Sequence, residues 1–275
     1  MIILSQPSIN PIAVSLGFIH IYWYGLMYTF AFIFALYVGE KKLKKNTFME
    51  KDDFYKLILY CIIGVVIGGR LGYFLFYDIG KLGDFLLFEN GGMSFHGGLL
   101  GVIIAVFIYS IRNKKNFLRT TDFIVPLVPF GLGAGRFGNF INGELWGRVS
   151  DSYGGMIFSK AKEMDYTYAI NHPKLMEIFY KYNGLPRYPS QLLELFLEGI
   201  VLFIIISVYS KKERKKGRIS GLFLLCYGLF RIFIEFFREP DEQLGFLFNE
   251  ISMGQLLSLP LLFVGLYLLT RKITE

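Results

Sequence analysis

The chain has 275 residues, of which 53% are hydrophobic and 18% aromatic. An apolar fraction of this size excludes an ordinary soluble domain of this length and indicates an integral membrane protein. The formal net charge is +7, but the basic residues cluster between apolar runs. That pattern is typical of membrane topology and argues against a nucleic-acid-binding surface.

Seven apolar runs approach the length of about 20 residues that a helix needs to cross a bilayer. They are residues 19–39, 54–77, 95–111, 121–142, 190–209, 219–237 and 253–270. The sequence therefore predicts an all-α polytopic membrane protein with seven transmembrane helices. We expect a single integral membrane domain over residues 1–275.

Lysine and arginine residues collect in alternate connections between these runs. The basic segments are 40–53, 112–120, 210–218 and the tail that begins at Arg271. The positive-inside rule places them on the cytoplasmic side, so the N-terminus is predicted outside and the C-terminus in the cytoplasm. The only long connection on the opposite side is 143–189, which we expect to form a small folded extracytoplasmic cap between spans four and five.

The first two spans carry features with both ordinary and functional interpretations. Tyr24 lies near the start of the first span, where an aromatic-belt residue is common. Gly64, Gly68 and Gly72 recur at every fourth residue of the second span, which predicts close helix packing. The glycines leave Arg70 unexplained, and this arginine is either paired structurally or faces a polar cavity.

The third span begins with His96, in the segment His96-Gly-Gly-Leu-Leu-Gly101. The dipole at a helix N-terminus disfavours a charged imidazolium, which keeps the ring neutral and able to accept a proton. His96 is therefore a candidate general base. A structural hydrogen bond at the membrane interface is the alternative.

The fourth span closes with the segment Gly135-Arg-Phe-Gly-Asn-Phe-Ile-Asn-Gly-Glu-Leu-Trp-Gly-Arg148. It brings Arg136, Asn139 and Glu144 to the membrane edge beside four glycines. A permanent cation inside the bilayer costs roughly 2.5–3.5 kcal/mol on insertion scales. An arginine kept there predicts a site for an anionic lipid headgroup.

The sixth span carries Arg231 and Glu235, which are four residues apart and share a helix face. They form either a self-neutralising buried pair or a second anion clamp, Arg231, that Glu235 orients. From the predicted topology, we expect Arg136, Arg231 and His96 to converge near the outer leaflet. Glu194 lies in the first turns of the fifth span, where a capping role would suffice.

Five blocks of sequence, in this order, resemble the prolipoprotein diacylglyceryl transferase family. They are Tyr24-Gly25, Gly69-Arg-Leu-Gly-Tyr73, His96–Gly101, Gly135–Arg148 and Tyr227-Gly-Leu-Phe-Arg-Ile-Phe-Ile-Glu-Phe-Phe-Arg-Glu-Pro-Asp241. The block before the fifth span departs from the family pattern His-Pro-Ser-Gln-Leu-Tyr-Glu. Here Tyr188 replaces the histidine and Leu193 replaces the tyrosine, so no role of that histidine carries over to this chain.

The resemblance implies an enzyme of the bacterial inner (cytoplasmic) membrane. Phosphatidylglycerol would donate its diacylglyceryl group to the lipobox cysteine thiol of a prolipoprotein signal peptide, forming a thioether and releasing glycerol 1-phosphate. Arg136 would bind the lipid phosphate. The other positions that match residues on which the family relies are Tyr24, His96, Asn139, Glu144, Arg231 and Glu235. We expect no metal, no organic cofactor and no nucleic acid partner; the alternative is a transporter or binding protein for anionic lipids.

Overall fold

A computed structural model of the chain describes residues 4–17, 19–44, 48–76, 83, 93–150, 154–240, 246–247 and 251–272. The described part is mostly helical. The α-helices are α1 (Trp23–Leu43), α2 (Lys51–Phe76), α3 (Phe95–Arg112), α4 (Phe117–Ile124), α5 (Val128–Asn142), α6 (Lys162–Asn171), α7 (Pro173–Tyr182), α8 (Ser190–Glu194), α9 (Leu202–Tyr209), α10 (Arg218–Glu235) and α11 (Met253–Thr270). A π-helix, Leu195–Val201, joins α8 to α9, and 3₁₀ turns at Val125–Leu127 and Ser159–Ala161 precede α5 and α6.

Within the described ranges, four helical stretches are long and apolar enough to cross a membrane. They are Lys51–Leu75, Phe117–Asn142, Ser190–Tyr209 and Met253–Thr270. These stretches match four of the seven predicted spans. The other three predicted spans contain α1, α3 and α10, which do not reach the same combination of length and apolar character.

The first predicted span, 19–39, begins too early. Residues Ile19–Tyr22 form strand β3, which pairs antiparallel with β2 (Ile12–Leu16), and the helix starts only at Trp23. Gly17, between the two strands, has a φ of +65°, a left-handed conformation that glycine adopts without steric cost. A short apolar run is compatible with either a strand or a helix, so its composition does not separate the two.

Two further pairs of short strands complete the secondary structure of the described residues. Strand β1 (Leu4–Ser5) runs parallel to β4 (Met156–Ile157), and β5 (Phe246–Leu247) is antiparallel to β6 (Ile251–Ser252). The first pair connects the N-terminal segment to the long connection 143–189. The second pair lies directly before α11.

The chain divides into two compact units, residues 1–34 with 125–275 and residues 35–124. In the second unit, the glycine face of α2 packs on α3. A Cβ added to Gly72 would lie 2.5 Å from Gly97 Cα, and one added to Gly64 would lie 2.6 Å from Gly101 O. This contact confirms the predicted close packing of the glycine face.

Arg70 belongs to the same unit as that glycine face. It is buried, and its guanidinium lies 4.9 Å from the centre of the Phe74 ring. An arginine packed against an aromatic face in the protein interior favours the structural interpretation of this residue.

In the first unit, the core of buried side chains draws on α9 and α10. It contains Leu202, Ile206, Phe223 and Tyr227. A second contact joins α5 to the π-helix, where a Cβ added to Gly199 would lie 2.7 Å from Gly133 Cα. Because neither glycine carries a side chain, the two backbones approach closely, and the polar residues next to them come within reach of each other.

The connection between α5 and α8 folds around α6 and α7. Asp165, on α6, accepts hydrogen bonds from Arg187 Nε at 2.7 Å and from the Leu185 backbone N–H at 2.9 Å. Burial raises the pKa of Asp165 above the ordinary carboxyl value, and Arg187 and the Leu185 N–H oppose that rise. Ala169 and Phe179 pack beside these groups with Leu185 as a small apolar core.

Candidate functional site

Two arginines from distant parts of the sequence meet at one carboxylate. Arg136, on α5, places its Nε 3.1 Å from Glu194 Oε2, and Arg231, on α10, places its Nη1 2.6 Å from Glu194 Oε1. Both arginines were candidates from sequence, and the structure brings them together. The cluster that they form with Glu194 and its neighbours is called here the arginine–glutamate cluster.

Glu194 is the hub of this cluster. Its side chain is 0% exposed, and its Oε1 also accepts a hydrogen bond from Arg238 Nη1 at 3.1 Å. The interpretation of Glu194 as a helix cap is wrong, because the residue lies at the end of α8 and its carboxylate binds three guanidinium groups. Sequence reasoning missed both Glu194 and Arg238, since no local pattern shows which side chains face each other across the fold.

Glu198 lies one turn further along, on the π-helix. Its Oε2 accepts two long hydrogen bonds, both 3.4 Å, from Nε and Nη2 of Arg136, and its Oε1 is 3.9 Å from Arg231 Nη1. This Oε1 is buried and has no hydrogen-bond partner among the described residues. The Gly133–Gly199 contact explains the proximity, because Gly199 follows Glu198 and Gly133 precedes Arg136 by one helical turn.

Glu235 connects the cluster to α11. Its Oε1 is 2.5 Å from Arg231 Nη2, and its Oε2 accepts a hydrogen bond from Ser252 Oγ at 2.6 Å. The predicted i, i+4 contact is therefore present, but the pair is not isolated, since Arg231 also reaches Glu194. One carboxylate oxygen of Glu235 binds Arg231, and the other binds Ser252, the N-cap of α11. Glu235 therefore fixes where the Arg231 guanidinium lies.

In the part of the chain that the structure describes, the formal charges of the cluster cancel. The members are Arg136, Arg231, Arg238, Glu194, Glu198 and Glu235. Buried charges are tolerated when opposite charges compensate them in this way. The exposure is unequal: Arg136 and Arg231 keep 12% and 14% of their side chains exposed, whereas Glu194 and Glu198 keep 0%. An approaching anion therefore meets the guanidinium groups first.

Glu144 is held in place by two amides from the end of α5. Its Oε1 accepts hydrogen bonds from Asn139 Nδ2 at 2.9 Å and from Asn142 Nδ2 at 3.2 Å. Gly143, in a left-handed conformation with φ of +61°, ends the helix and turns the chain back so that these contacts form. Gln191 Nε2 donates to the Glu144 backbone carbonyl at 2.7 Å, which links this turn to α8.

Tyr24 packs on the helix that carries Arg136. A Cβ added to Gly138 of α5 would lie 2.9 Å from Tyr24 Cδ2. The Tyr24 hydroxyl is 3.3 Å from that of Tyr28, one turn further along α1. Tyr24 is half-buried and contacts the motif helix.

Arg148, the last residue of the motif that begins at Gly135, binds the end of α10. Its Nε donates to Arg238 O at 3.0 Å and its Nη2 donates to Glu235 O at 2.9 Å. Carbonyls at a helix C-terminus lack intrahelical partners, and a guanidinium satisfies them well. Arg148 thereby positions the helix end that carries Glu235 and Arg238, a role that sequence reasoning did not identify.

Tyr188 occupies the place of the histidine in the family pattern. Its backbone N–H donates to Arg148 O at 3.0 Å, and its carbonyl accepts from Gly147 N–H at 2.8 Å. Its ring packs against Phe237 with a centroid distance of 5.3 Å. In this chain the position therefore pairs the connection 143–189 with the motif and packs on the segment after α10.

His96 lies in the other unit, in the first turn of α3. Ser94 is the N-cap of that helix and accepts a hydrogen bond from Gly97 N–H at 3.3 Å. The His96 side chain lies outside the described residues. The expected convergence of His96 with Arg136 and Arg231 stays a prediction.

The sequence profile for prolipoprotein diacylglyceryl transferase matches residues 11–271. The chain belongs to the prolipoprotein diacylglyceryl transferase family. The phosphatidylglycerol–prolipoprotein diacylglyceryl transferase of Buchnera aphidicola subsp. Acyrthosiphon pisum (strain Tuc7) is 50% identical over 273 residues, which cover 97% of each chain. The proteins of the same name from Photorhabdus laumondii subsp. laumondii and Serratia proteamaculans are 49% and 47% identical over 272 residues. Those alignments cover 97% of this chain and 93% and 94% of the relatives.

Membership of the transferase family confirms the resemblance that the five sequence blocks carry. Two of those blocks, Gly135–Arg148 and Tyr227–Asp241, supply all three arginines of the arginine–glutamate cluster. The carboxylates Glu194 and Glu198 come from α8 and the π-helix. Two of the blocks that carry the resemblance thus supply the guanidinium groups that the fold gathers around buried carboxylates.

Proposed function

We propose that this protein transfers the diacylglyceryl group of phosphatidylglycerol to the lipobox cysteine thiol of prolipoproteins, the first step of lipoprotein maturation. The observation that carries the proposal is the meeting of Arg136 and Arg231 at Glu194, which gathers two guanidinium groups for one phosphoester. The names of the relatives at 47–50% identity supply the reaction.

The chemistry is alkyl transfer to sulfur. The thiol loses its proton, the sulfur forms a bond to the terminal glyceryl carbon, and the bond from that carbon to the phosphate oxygen breaks. Glycerol 1-phosphate leaves with the electron pair. Arg136 and Arg231 hold the phosphate, because a planar guanidinium can donate to two oxygens at once. Fixed donors in a site shielded from water stabilise the growing charge of the leaving phosphate more than bulk solvent does.

The remaining site residues act around these two arginines. Glu235 orients Arg231 through its 2.5 Å ion pair. Glu144, fixed by Asn139, offers the glycerol headgroup a hydrogen-bond acceptor, and Tyr24 lines the same pocket from α1. His96 takes the thiol proton.

The proposed setting is the bacterial inner membrane, with seven transmembrane helices, an outer N-terminus and a cytoplasmic C-terminus. The alternation of basic connections supports this orientation. The connection 143–189 is the extracytoplasmic cap. Both substrates are membrane-bound, one as a lipid and one through its signal-peptide helix, so a lateral opening in the helical bundle lets each arrive without leaving the bilayer.

A direct assay tests the proposed function. Purified protein is mixed with phosphatidylglycerol and a synthetic lipobox peptide, and the mass of the peptide is measured by mass spectrometry. The expected product has gained one diacylglyceryl group. A peptide with serine in place of the cysteine, and phosphatidylethanolamine in place of phosphatidylglycerol, are the controls that should give no product. Lipid binding or movement between leaflets without a covalent product would favour the transporter or binding-protein alternative.

A further inference from the structure

We infer that Glu198 is the exchangeable carboxylate of the arginine–glutamate cluster. Its carboxylate compensates Arg136 and Arg231, and on substrate binding the lipid phosphate takes its place beside them. Glu198 is then a positioning residue that sets the affinity for the anionic donor. This inference rests on the proposed function and deepens it.

The first argument is the contrast between the two buried glutamates. Glu194 receives its three arginines at 2.6–3.1 Å, whereas the contacts of Glu198 are all 3.4–3.9 Å. Charge-assisted hydrogen bonds of full strength are about 2.7–2.9 Å long. Glu194 therefore holds the cluster together, and Glu198 is the weaker competitor for the same guanidinium groups.

The second argument is the unpartnered oxygen of Glu198. Among the described residues, Oε1 of Glu198 and Oε2 of Glu194 are both buried without a hydrogen-bond partner. The two differ in their ion pairs: Oε2 of Glu194 lies 3.1 Å from Arg136 Nε, whereas Oε1 of Glu198 lies 3.9 Å from Arg231 Nη1. A buried acceptor left unsatisfied is unfavourable, and such a group calls for an explanation. Exchange during the reaction cycle provides such an explanation. If Glu198 bound the arginines more tightly, its replacement by phosphate would be slower and less complete.

The third argument is the backbone on which Glu198 lies. The segment Leu195–Val201 is a π-helix, and such segments occur frequently at functional sites. Its glycine, Gly199, faces Gly133 with no side chain between the two helices. Glu198 therefore lies on a wider π-helical turn next to a glycine, whereas Glu194 is the last residue of an α-helix.

The fourth argument is charge balance. A phosphodiester carries one negative charge, as a carboxylate does, so the cluster stays neutral when phosphate replaces Glu198 and the displaced carboxylate takes up a proton. If the Glu198 carboxylate and the lipid phosphate were both held beside the same guanidinium groups, the two negative charges would repel each other. The partial exposure of Arg136 and Arg231, against full burial of both glutamates, leaves the guanidinium groups accessible to the incoming phosphate.

The experiment measures KM and kcat for phosphatidylglycerol at saturating lipobox peptide in the wild type, Glu198→Gln and Glu194→Gln. We expect Glu198→Gln to lower KM about three- to tenfold, because the competing charge is gone, without raising kcat. Inhibition by glycerol 1-phosphate should strengthen by a similar factor. Glu194→Gln is the matched control on the adjoining turn: it should lose activity, since it leaves three arginines without their shared carboxylate.

A KM in folded Glu198→Gln that is equal to or above the wild-type value overturns the inference. If that variant does not fold, Glu198→Asp keeps the charge but draws the carboxylate back by one methylene. A KM below wild type in Glu198→Asp then supports the exchange, and an unchanged or raised KM overturns it.

A lipid-dependent thermal shift separates this inference from the proposed function. Phosphatidylglycerol should raise the melting temperature of Glu198→Gln more than that of the wild type, whereas phosphatidylethanolamine should not discriminate between them. If the wild type transfers no lipid, the proposed function fails while the thermal shift still tests the exchange. If the wild type is active and the shifts are equal, the exchange alone fails.

Discussion

The guanidinium group of Arg136 contacts two carboxylates at once. Its Nε lies 3.1 Å from Glu194 and 3.4 Å from Glu198, and its Nη2 also reaches Glu198. This arrangement uses the planar fork of arginine, in which several N–H groups point in fixed directions. A lysine would place one compact charge at the end of a flexible stem and could not reproduce it.

Arg136→Lys should therefore lose activity while keeping its charge. Removing one donor that stabilises a developing anion typically costs about 10²–10³ in rate, or roughly 2.7–4 kcal/mol. The measurement is lipidation of a lipobox peptide, with the melting temperature taken to show that the variant is folded. Arg214→Lys, in an exposed loop, is the matched control and should keep wild-type activity. Near-normal lipidation by Arg136→Lys would remove the phosphate-clamp role.

His96→Gln tests the proposed general base. Only a neutral imidazole can accept the thiol proton, so the wild-type rate should fall as acid protonates the ring. The variant should be slower and should lack this limb of the pH profile. His172→Gln, at an exposed position after α6, is the control. An unchanged rate in His96→Gln across pH 6 to 9 would exclude His96 as the base.

At the scale of elements, the packing of α5 on the π-helix sets the geometry of the cluster. Gly133 and Gly199 meet backbone to backbone, and this contact brings Arg136 within hydrogen-bonding distance of Glu198. The two residues are 62 positions apart in the chain. The contact therefore converts two remote helices into one site.

Gly199→Ala should separate these two helices. Its Cβ would lie 2.7 Å from Gly133 Cα, a backbone atom that cannot move alone. Overpacking of this kind costs typically about 1–3 kcal/mol, so the melting temperature and the lipidation rate should both fall. Gly135→Ala is the matched control in the same motif, since no described atom outside its own helix turn lies within 4 Å of an added Cβ. Gly135→Ala should be neutral or stabilising by about 0.5–1 kcal/mol because alanine favours helix; equal losses in both variants would contradict the packing argument.

At the scale of the whole molecule, the connection 143–189 is joined to the end of α10 by two arginines, the buried Arg187 and the half-buried Arg148. Arg187 Nη1 donates to Gly147 O at 3.1 Å and lies 2.8 Å from Glu239 Oε2, while its Nε binds Asp165. Arg148 donates to the carbonyl of Glu235, the last residue of α10, and to that of Arg238 just beyond the helix. The folded connection therefore contacts the end of α10 and the segment after it, which carry Glu235 and Arg238.

Arg187→Gln should destabilise the protein strongly. Removing one partner of a buried ion pair typically costs about 3–5 kcal/mol because the other charge is left uncompensated. The double variant with Asp165→Asn should recover part of that loss, since both charges are then removed. Thermal unfolding in detergent measures both effects, and Lys181→Gln, an exposed residue of α7, is the control. Additive losses from Arg187→Gln and Asp165→Asn would show that the two side chains do not stabilise each other.

Features that depend only on neighbouring residues along the chain were predictable from the sequence. Apolar runs of sufficient length gave the helices at α2, α5, α9 and α11, and the glycine spacing of α2 gave its packing face. The motif around Arg136 and the i, i+4 pair of Arg231 with Glu235 indicated two arginines that the fold brings together at the candidate site. These signals are local, because helix periodicity and hydrophobic length are properties of a single segment.

Which remote groups meet depends on how the helices pack, and this could not be predicted from the sequence. A glutamate in the first turns of an apolar span suits the helix dipole, so the local sequence predicted a capping role for Glu194. In the structure Glu194 is instead the shared partner of three arginines. Likewise, the apolar residues Ile19–Tyr22 fit a helix until strand β2 pairs with them. The reason is physical: a buried charge is tolerated only where opposite charges reach it, and those charges come from segments whose approach depends on the packing of the whole fold.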